Sequence, residues 1–183
     1  MAPHTKHIHD ELVERCLQGD RDAYYLLYEQ YSRSMFNVGY RIVHDEAEAE
    51  DVLQEAFISA FRNLGRYRGD ATFGAWLKRI VVNKAINAVN KRRMERFPEH
   101  NEVEVAEEEA DEMIDFPFTV EKVKRAIAQL PDGYRMVLSL YLLEGYDHGE
   151  IAEILGISES TSKSQFNRSK RKLKEILEDI EEQ

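Results

Sequence analysis

Apolar residues recur at steps of three and four along most of this 183-residue chain, and no alternating polar and apolar run of useful length interrupts them. That period lines one face of a helix, so the chain is restricted to an all-α fold. Local chemistry predicts where each helix begins and ends. A first helix covers about 8–18 and stops at Gly19. Asp20 caps a long helix to about Val43, with Tyr24, Leu27, Tyr28, Tyr31, Met35, Val38 and Ile42 on one face. Asp45, with Glu48 three residues on, makes a capping-box-like start for a third. This helix carries Leu53, Ala56, Phe57, Ala60, Phe61 and Leu64 on one stripe, and Asp51, Gln54, Glu55, Ile58 and Ser59 opposite. After the polar loop "GRYRGDA", Thr72 caps a fourth helix that buries Phe73, Trp76, Leu77, Ile80 and Val81 and ends in a basic run. Four such helices close one bundle.

From Phe97 to Asp115 the period is lost and the sequence turns acidic and poor in large apolar residues, the composition of a flexible linker. Helical pattern then resumes. One helix runs from about Val120 to Leu130, where "PDG" stops it, and a second covers "YRMVLSLYLLEG". Next comes "HGEIAEILGISESTSKSQFNRSKRKL" (148–173), which has the pattern of a helix-turn-helix. Asp147 and Glu150 start its first helix, Gly156 supplies the left-handed turn, and Ile157 points inward as the elbow. Ser158 caps the second helix, which buries Ser162, Phe166, Ser169 and Leu173. Ser160, Thr161, Lys163, Ser164, Asn167, Arg168 and Arg171 face outward. Hydroxyls and an amide near the N-terminal half suit base edges, and cations further along suit phosphates. The alternative is a helical hairpin whose charged face is only solvated. The expected organisation is two small helical domains, 8–96 and 117–178, joined by an acidic flexible linker, 97–116.

Such a segment sits oddly with a formal net charge of −10, and the distribution of charge resolves the conflict. Residues 10–55 carry twelve acids against four bases, whereas 62–93 carry nine bases against Asp70 alone. Residues 95–116 hold ten acids against Arg96, and 159–174 hold six bases against Glu159. Two basic surfaces thus lie between acidic stretches, and affinity for DNA follows the cations that touch phosphate rather than the net figure. The acidic linker, with its acids at 99–112, and the first domain are expected to repel phosphate or mask the basic faces in the free protein; the alternative is that the acids only keep a linker soluble.

Several function classes drop away. No apolar run approaches the roughly 20 residues that span a bilayer, and "MAPHTKHIHD" lacks the apolar core of a signal peptide, so a cytoplasmic location is expected. Cys16 is the single cysteine, between Val13 and Leu17 on an apolar face, and reads as a buried structural thiol. No glycine-rich phosphate loop or framed nucleophile points to an enzyme. His4, His7 and His9 suggest no designed metal site, and no cofactor is expected.

Taken together, "AEAEDVLQEAFISAFRNL" (47–64), "RYRGDATFGAWLKRIVVNKAINAVNKRR" (66–93) and the helix-turn-helix resemble the extracytoplasmic-function (ECF) class of sigma factors, the minimal two-domain form of the sigma-70 family. The resemblance covers about 10–96 and 117–177. It implies a sigma domain 2-like four-helix bundle, a sigma domain 4-like helix-turn-helix, and a transcription initiation factor that is not an enzyme. It implies docking on core RNA polymerase through Asp51, Gln54, Glu55 and Ile58. It assigns the −10 promoter element to Arg66, Tyr67, Arg68, Thr72, Arg79, Asn83, Lys84 and Asn87. The −35 element falls to Ser160, Thr161, Lys163, Ser164, Asn167, Arg168 and Arg171. Phe73 and Trp76 fit the core by their spacing from Leu77 and Ile80, with base stacking as the alternative. The resemblance also implies an anti-sigma factor partner and a free monomer. Two departures stand out. Asn87 replaces an Asp frequent in the family, and Ser162, Ser169 and Lys170 replace a Val and an Ala–Arg pair in the recognition helix. The rival reading is a stand-alone helix-turn-helix regulator binding duplex DNA.

Overall fold

A computed structural model describes residues 9–96 and 119–181. Among them all regular structure is helical: α1 (Asp10–Leu17), α2 (Arg21–Val43), α3 (Glu46–Arg62), α4 (Phe73–Arg96), α5 (Val120–Gln129), α6 (Asp132–Leu138), α7 (His148–Leu155) and α8 (Glu159–Glu181). A 3-10 turn spans Leu64–Arg66 and a π-helical turn spans Ser139–Leu143. The chain divides into two compact units between Arg92 and Arg93, within the last turns of α4. The expected linker, 97–116, with its acids at 99–112, and also His4 and His7, lie outside the described residues.

In the first unit the expected caps are formed. The Asp20 carboxylate accepts from the Asp22 and Ala23 amides and pairs with Arg15 at 2.7 Å, closing the corner between α1 and α2. Asp45 accepts from the Glu48 amide at 2.9 Å. Leu27, Ile42, Leu64, Phe73, Leu77, Val81 and Val82 are fully buried where α2, α3 and α4 meet. Cys16 is buried with them, and burial followed by the Asp20 carboxylate pushes its thiol up to about 11, so it stays protonated and inert. Tyr28 departs from the expected buried face. Its ring packs edge-on against Phe57 (centroids 4.8 Å apart), but it lies at the rim and is 39 % exposed.

The second unit has its own core of Ala126, Leu130, Leu138, Leu173, Ile176 and Leu177, drawn from α5, α6 and α8. Arg135 is buried beside it because its guanidinium donates to the Leu130 carbonyl at 2.9 Å and pairs with Asp132. The second expected helix of this set does not run through as an α-helix. After Leu138 it widens, the Glu144 amide bonding back to the Ser139 carbonyl, and Gly145 ends it at φ +76°. The run "SLYLL" is apolar on nearly every side, so one-face periodicity cannot fix its winding. Ser139 and Leu140 face inward, while Leu142 and Leu143 remain about half exposed.

Candidate nucleic-acid and protein interfaces

Each candidate face is presented by a helix whose other side is locked in a core. On α3, Leu53, Ala56, Phe57 and Ala60 are buried, which turns Asp51, Gln54, Glu55 and Ile58 outward. Ile58 is 50 % exposed among acids and an amide, the mixture expected where an apolar contact is framed by polar ones.

On α4 the buried residues continue past Val81 to Val82, Ala85, Ile86 and Val89, so Arg79, Asn83 and Asn87 form an exposed ridge at steps of four. Lys84 behaves differently. Its ammonium is 3.1 Å from the Glu55 carboxylate, joining the candidate DNA face of α4 to the candidate protein face of α3. Arg92 is also committed internally, at 2.8 Å from Glu48 and donating to the Val43 carbonyl, which ties the ends of α2 and α4 to the start of α3.

The loop before α4 separates its residues sharply. Arg66 and Arg68 are exposed. Thr72 is exposed too, but its hydroxyl accepts from the Ala75 amide at 3.2 Å and so caps α4. Tyr67 is half-buried, its ring against Phe73 and Trp76 and its hydroxyl directed at the Ala71 carbonyl and the Asp10 carboxylate. Phe73 is fully buried, which settles it as a core residue, whereas Trp76 is only half-buried.

In the second unit a complete capping box joins Asp147 and Glu150, Gly156 turns at φ +66°, and the Ser158 hydroxyl accepts from the Thr161 amide at 3.0 Å. Ser162, Phe166, Ser169 and Leu173 are buried as spaced. Ser160, Lys163 and Arg171 are exposed, and Thr161, Ser164, Asn167 and Arg168 are half-exposed along the same helix. Lys163 pairs with Glu159 at 2.7 Å, and the Ser164 hydroxyl donates to the Thr161 carbonyl.

The two serines in slots that elsewhere hold apolar residues are both satisfied. Ser169 donates to the Phe166 carbonyl at 2.7 Å, and Ser162 lies 2.9 Å from Nδ1 of His148. Sequence reasoning missed His148. Its ring stacks on Tyr141 (4.5 Å, 16°) and meets Phe166 edge-on, so it welds α7 to α8. Burial, and next the Lys163 cation, hold its imidazole below the ordinary histidine range, so the neutral form is favoured. Lys170 lies over the Phe166 ring at 5.0 Å.

Among the described residues no helix is long and apolar enough to cross a membrane, and no three His, Cys, Asp or Glu side chains are grouped to hold a metal.

Comparison with known proteins matches both units. The Sigma-70 region 2 family matches residues 27–95, and Sigma-70, region 4 matches 121–173. The chain is similar to the RNA polymerase sigma-H factor of Pseudomonas aeruginosa, with 33 % identity over 96 % of this chain and 97 % of that one. It is similar also to the ECF RNA polymerase sigma-E factor of Escherichia coli, at 34 % identity over 87 % and 88 %. In fold it resembles the sigma factor RpoE solved in complex with the anti-sigma factor NepR from Bartonella quintana. There the TM-score is 0.57 at 19 % identity, covering 85 % of this chain and 96 % of that one.

Proposed function

The chain belongs to the ECF class of the sigma-70 family of RNA polymerase sigma factors, and from that premise we propose which of its residues carry each part of promoter recognition. It is a transcription initiation factor, not an enzyme and not a stand-alone regulator, and it directs core RNA polymerase to promoters. In our reading Asp51, Gln54, Glu55 and Ile58 dock on core polymerase. Arg66, Arg68, Arg79, Asn83 and Asn87 contact the −10 element, with Lys84 joining them once it leaves Glu55. Tyr67 and Thr72 shape the loop from within. Ser160, Thr161, Lys163, Ser164, Asn167, Arg168 and Arg171 contact the −35 element. The protein works in the cytoplasm as a monomer when free, and an anti-sigma factor is its proposed restraint.

The observation that carries this division is the one-sidedness of the two basic helices. Arg79, Asn83 and Asn87 on α4, and the residues assigned to DNA on α8, lie on the side opposite to a buried stripe, so each helix offers DNA one defined face. The test is run-off transcription with core polymerase of the source organism on fragmented genomic DNA, with sequencing of RNA 5′ ends. New starts that share two spaced upstream elements are expected. Substituting α8 residues should erase preference at the upstream element only, and substituting the loop and α4 residues at the downstream one only. Loss of both preferences from either set of substitutions overturns the division.

A further inference from the structure

We infer that α1 anchors the promoter-reading loop, with His9 and Asp10 as positioning residues that hold Tyr31 and Tyr67 and thereby fix where Arg66 and Arg68 stand. This rests on the proposed role of the loop 66–72 in reading the −10 element.

The anchor has two strands. In the first, the Tyr67 hydroxyl lies 2.8 Å from the Ala71 carbonyl oxygen and 3.2 Å from the Asp10 carboxylate. One contact closes the turn over Gly69, which sits at φ +75°, and the other ties that closed turn to α1. Burial and then the Asp10 charge push the Tyr67 phenol up to about 12, so it remains a hydrogen-bond donor. In the second strand, aromatic rings run from α1 to the loop. His9 meets Tyr31 edge-on, with Nδ1 2.8 Å from the Tyr31 hydroxyl, Tyr31 meets Phe73 at 5.3 Å, and Phe73 meets Tyr67 at 5.9 Å. Gly74 lets α4 approach this row closely, since a Cβ there would lie 2.7 Å from Cε1 of Tyr31.

The two arginines therefore project from a loop fastened at its base by groups 57 positions earlier in the chain. His9 and Asp10 precede the segment matched to Sigma-70 region 2, which begins at 27. Fastening matters most for discrimination. A cation on a loosened loop still finds phosphates, because Coulomb attraction tolerates displacement, whereas reading a base edge requires placement within about 0.5 Å.

The experiment uses the full chain with core polymerase and a pool of templates randomised over the −10 element of a promoter found by the start-site mapping above. Asp10→Ala and Tyr67→Phe are expected to cut enrichment of the preferred base at the best-discriminated position by about fivefold or more. Affinity for core polymerase should stay at its wild-type value. Asp10→Asn, which keeps an acceptor oxygen, should restore most of the enrichment. Wild-type base preferences in Asp10→Ala and Tyr67→Phe overturn the inference. So does transcription lowered equally across the whole pool, since that marks plain destabilisation. If Arg66→Ala with Arg68→Ala leaves preferences intact, the loop does not read the element, and the anchor falls with that reading.

Discussion

Two glycines in helices of the first unit should respond to alanine with opposite signs. Gly39 lies inside α2, and a Cβ there would meet Cγ1 of Val52 at 3.5 Å and Cγ1 of Val81 at 3.8 Å, ordinary contact distances. Gly39→Ala therefore keeps the gain of about 1 kcal/mol for replacing glycine in a helix interior. At Gly74 the new methyl would lie 2.7 Å from Cε1 of Tyr31, closer than carbon atoms pack. Tyr31 cannot swing aside freely, because His9 holds its hydroxyl and Phe73 backs its ring. Gly74 is also the second residue of α4, where little of the propensity gain is realised. Overpacking of this kind costs about 1–3 kcal/mol. With about 4–8 °C per kcal/mol for a domain of this size, Gly39→Ala should raise the melting midpoint by about 4–8 °C, and a 2 kcal/mol loss in Gly74→Ala should lower it by about 8–16 °C. Trp76 is the single tryptophan and belongs to the first unit, so its fluorescence in the intact protein reports this unit selectively. A Gly74→Ala midpoint equal to or above wild type would refute the reasoning that Tyr31 is pinned.

Four further outcomes are expected. His148 is held below its ordinary value, so the native second unit binds this proton less readily than the unfolded chain does. Its contribution to stability is full above the unfolded value of about 6.5 and is lost as pH falls through the native one. An NMR titration placing His148 at or above 6.5 contradicts this. The exposed Lys84–Glu55 pair is worth at most about 1 kcal/mol, so Glu55→Gln should barely move the Trp76 melt. Lys84→Gln should reduce the salt slope of promoter binding by the polymerase complex by about 0.9, and an unchanged slope means Lys84 never reaches a phosphate. Ser158→Ala removes the cap of α8 and should cost about 1 kcal/mol of second-unit stability in urea, with Ser158→Gly costing less; equal losses would argue against a capping role.

The chemistry that acts over a few residues was legible in the sequence. Asp20, Asp45, Thr72, Asp147 and Ser158 cap helices because a side-chain oxygen finds an amide two or three positions on. Steps of three and four likewise placed Ser162 and Ser169 in buried slots despite their polarity. The partners that make those slots tolerable were not legible, since His148 reaches Ser162 across 14 positions through the packing of α7 on α8. The same reason hid the commitment of Lys84 to Glu55, 29 positions away, and of Tyr67 to Asp10. Composition counted Lys84 and Arg92 with the other cations of 62–93, whereas tertiary structure gives both of them carboxylate partners within the unit. The family resemblance supplied roles for the exposed faces, and geometry then separated residues that present themselves from those that support.

The π-helical turn at Ser139–Leu143 bears on how this region can change over time. Its bond from the Glu144 amide to the Ser139 carbonyl encloses one residue more than an α-helical bond does, so the turn holds a one-residue difference in length. Replacing Leu142 or Leu143, each about half exposed, disturbs less packing than replacing Ser139 or Leu140, which are fully buried in the same turn. Losing Leu142 or Leu143 would let the turn close to an α-helical bond and leave Tyr141 in phase with the helix before it, its ring still on His148. The wide turn can therefore absorb the loss of one residue on its outward side, whereas Ser139, Leu140 and Tyr141 are the positions where substitution disturbs the packing.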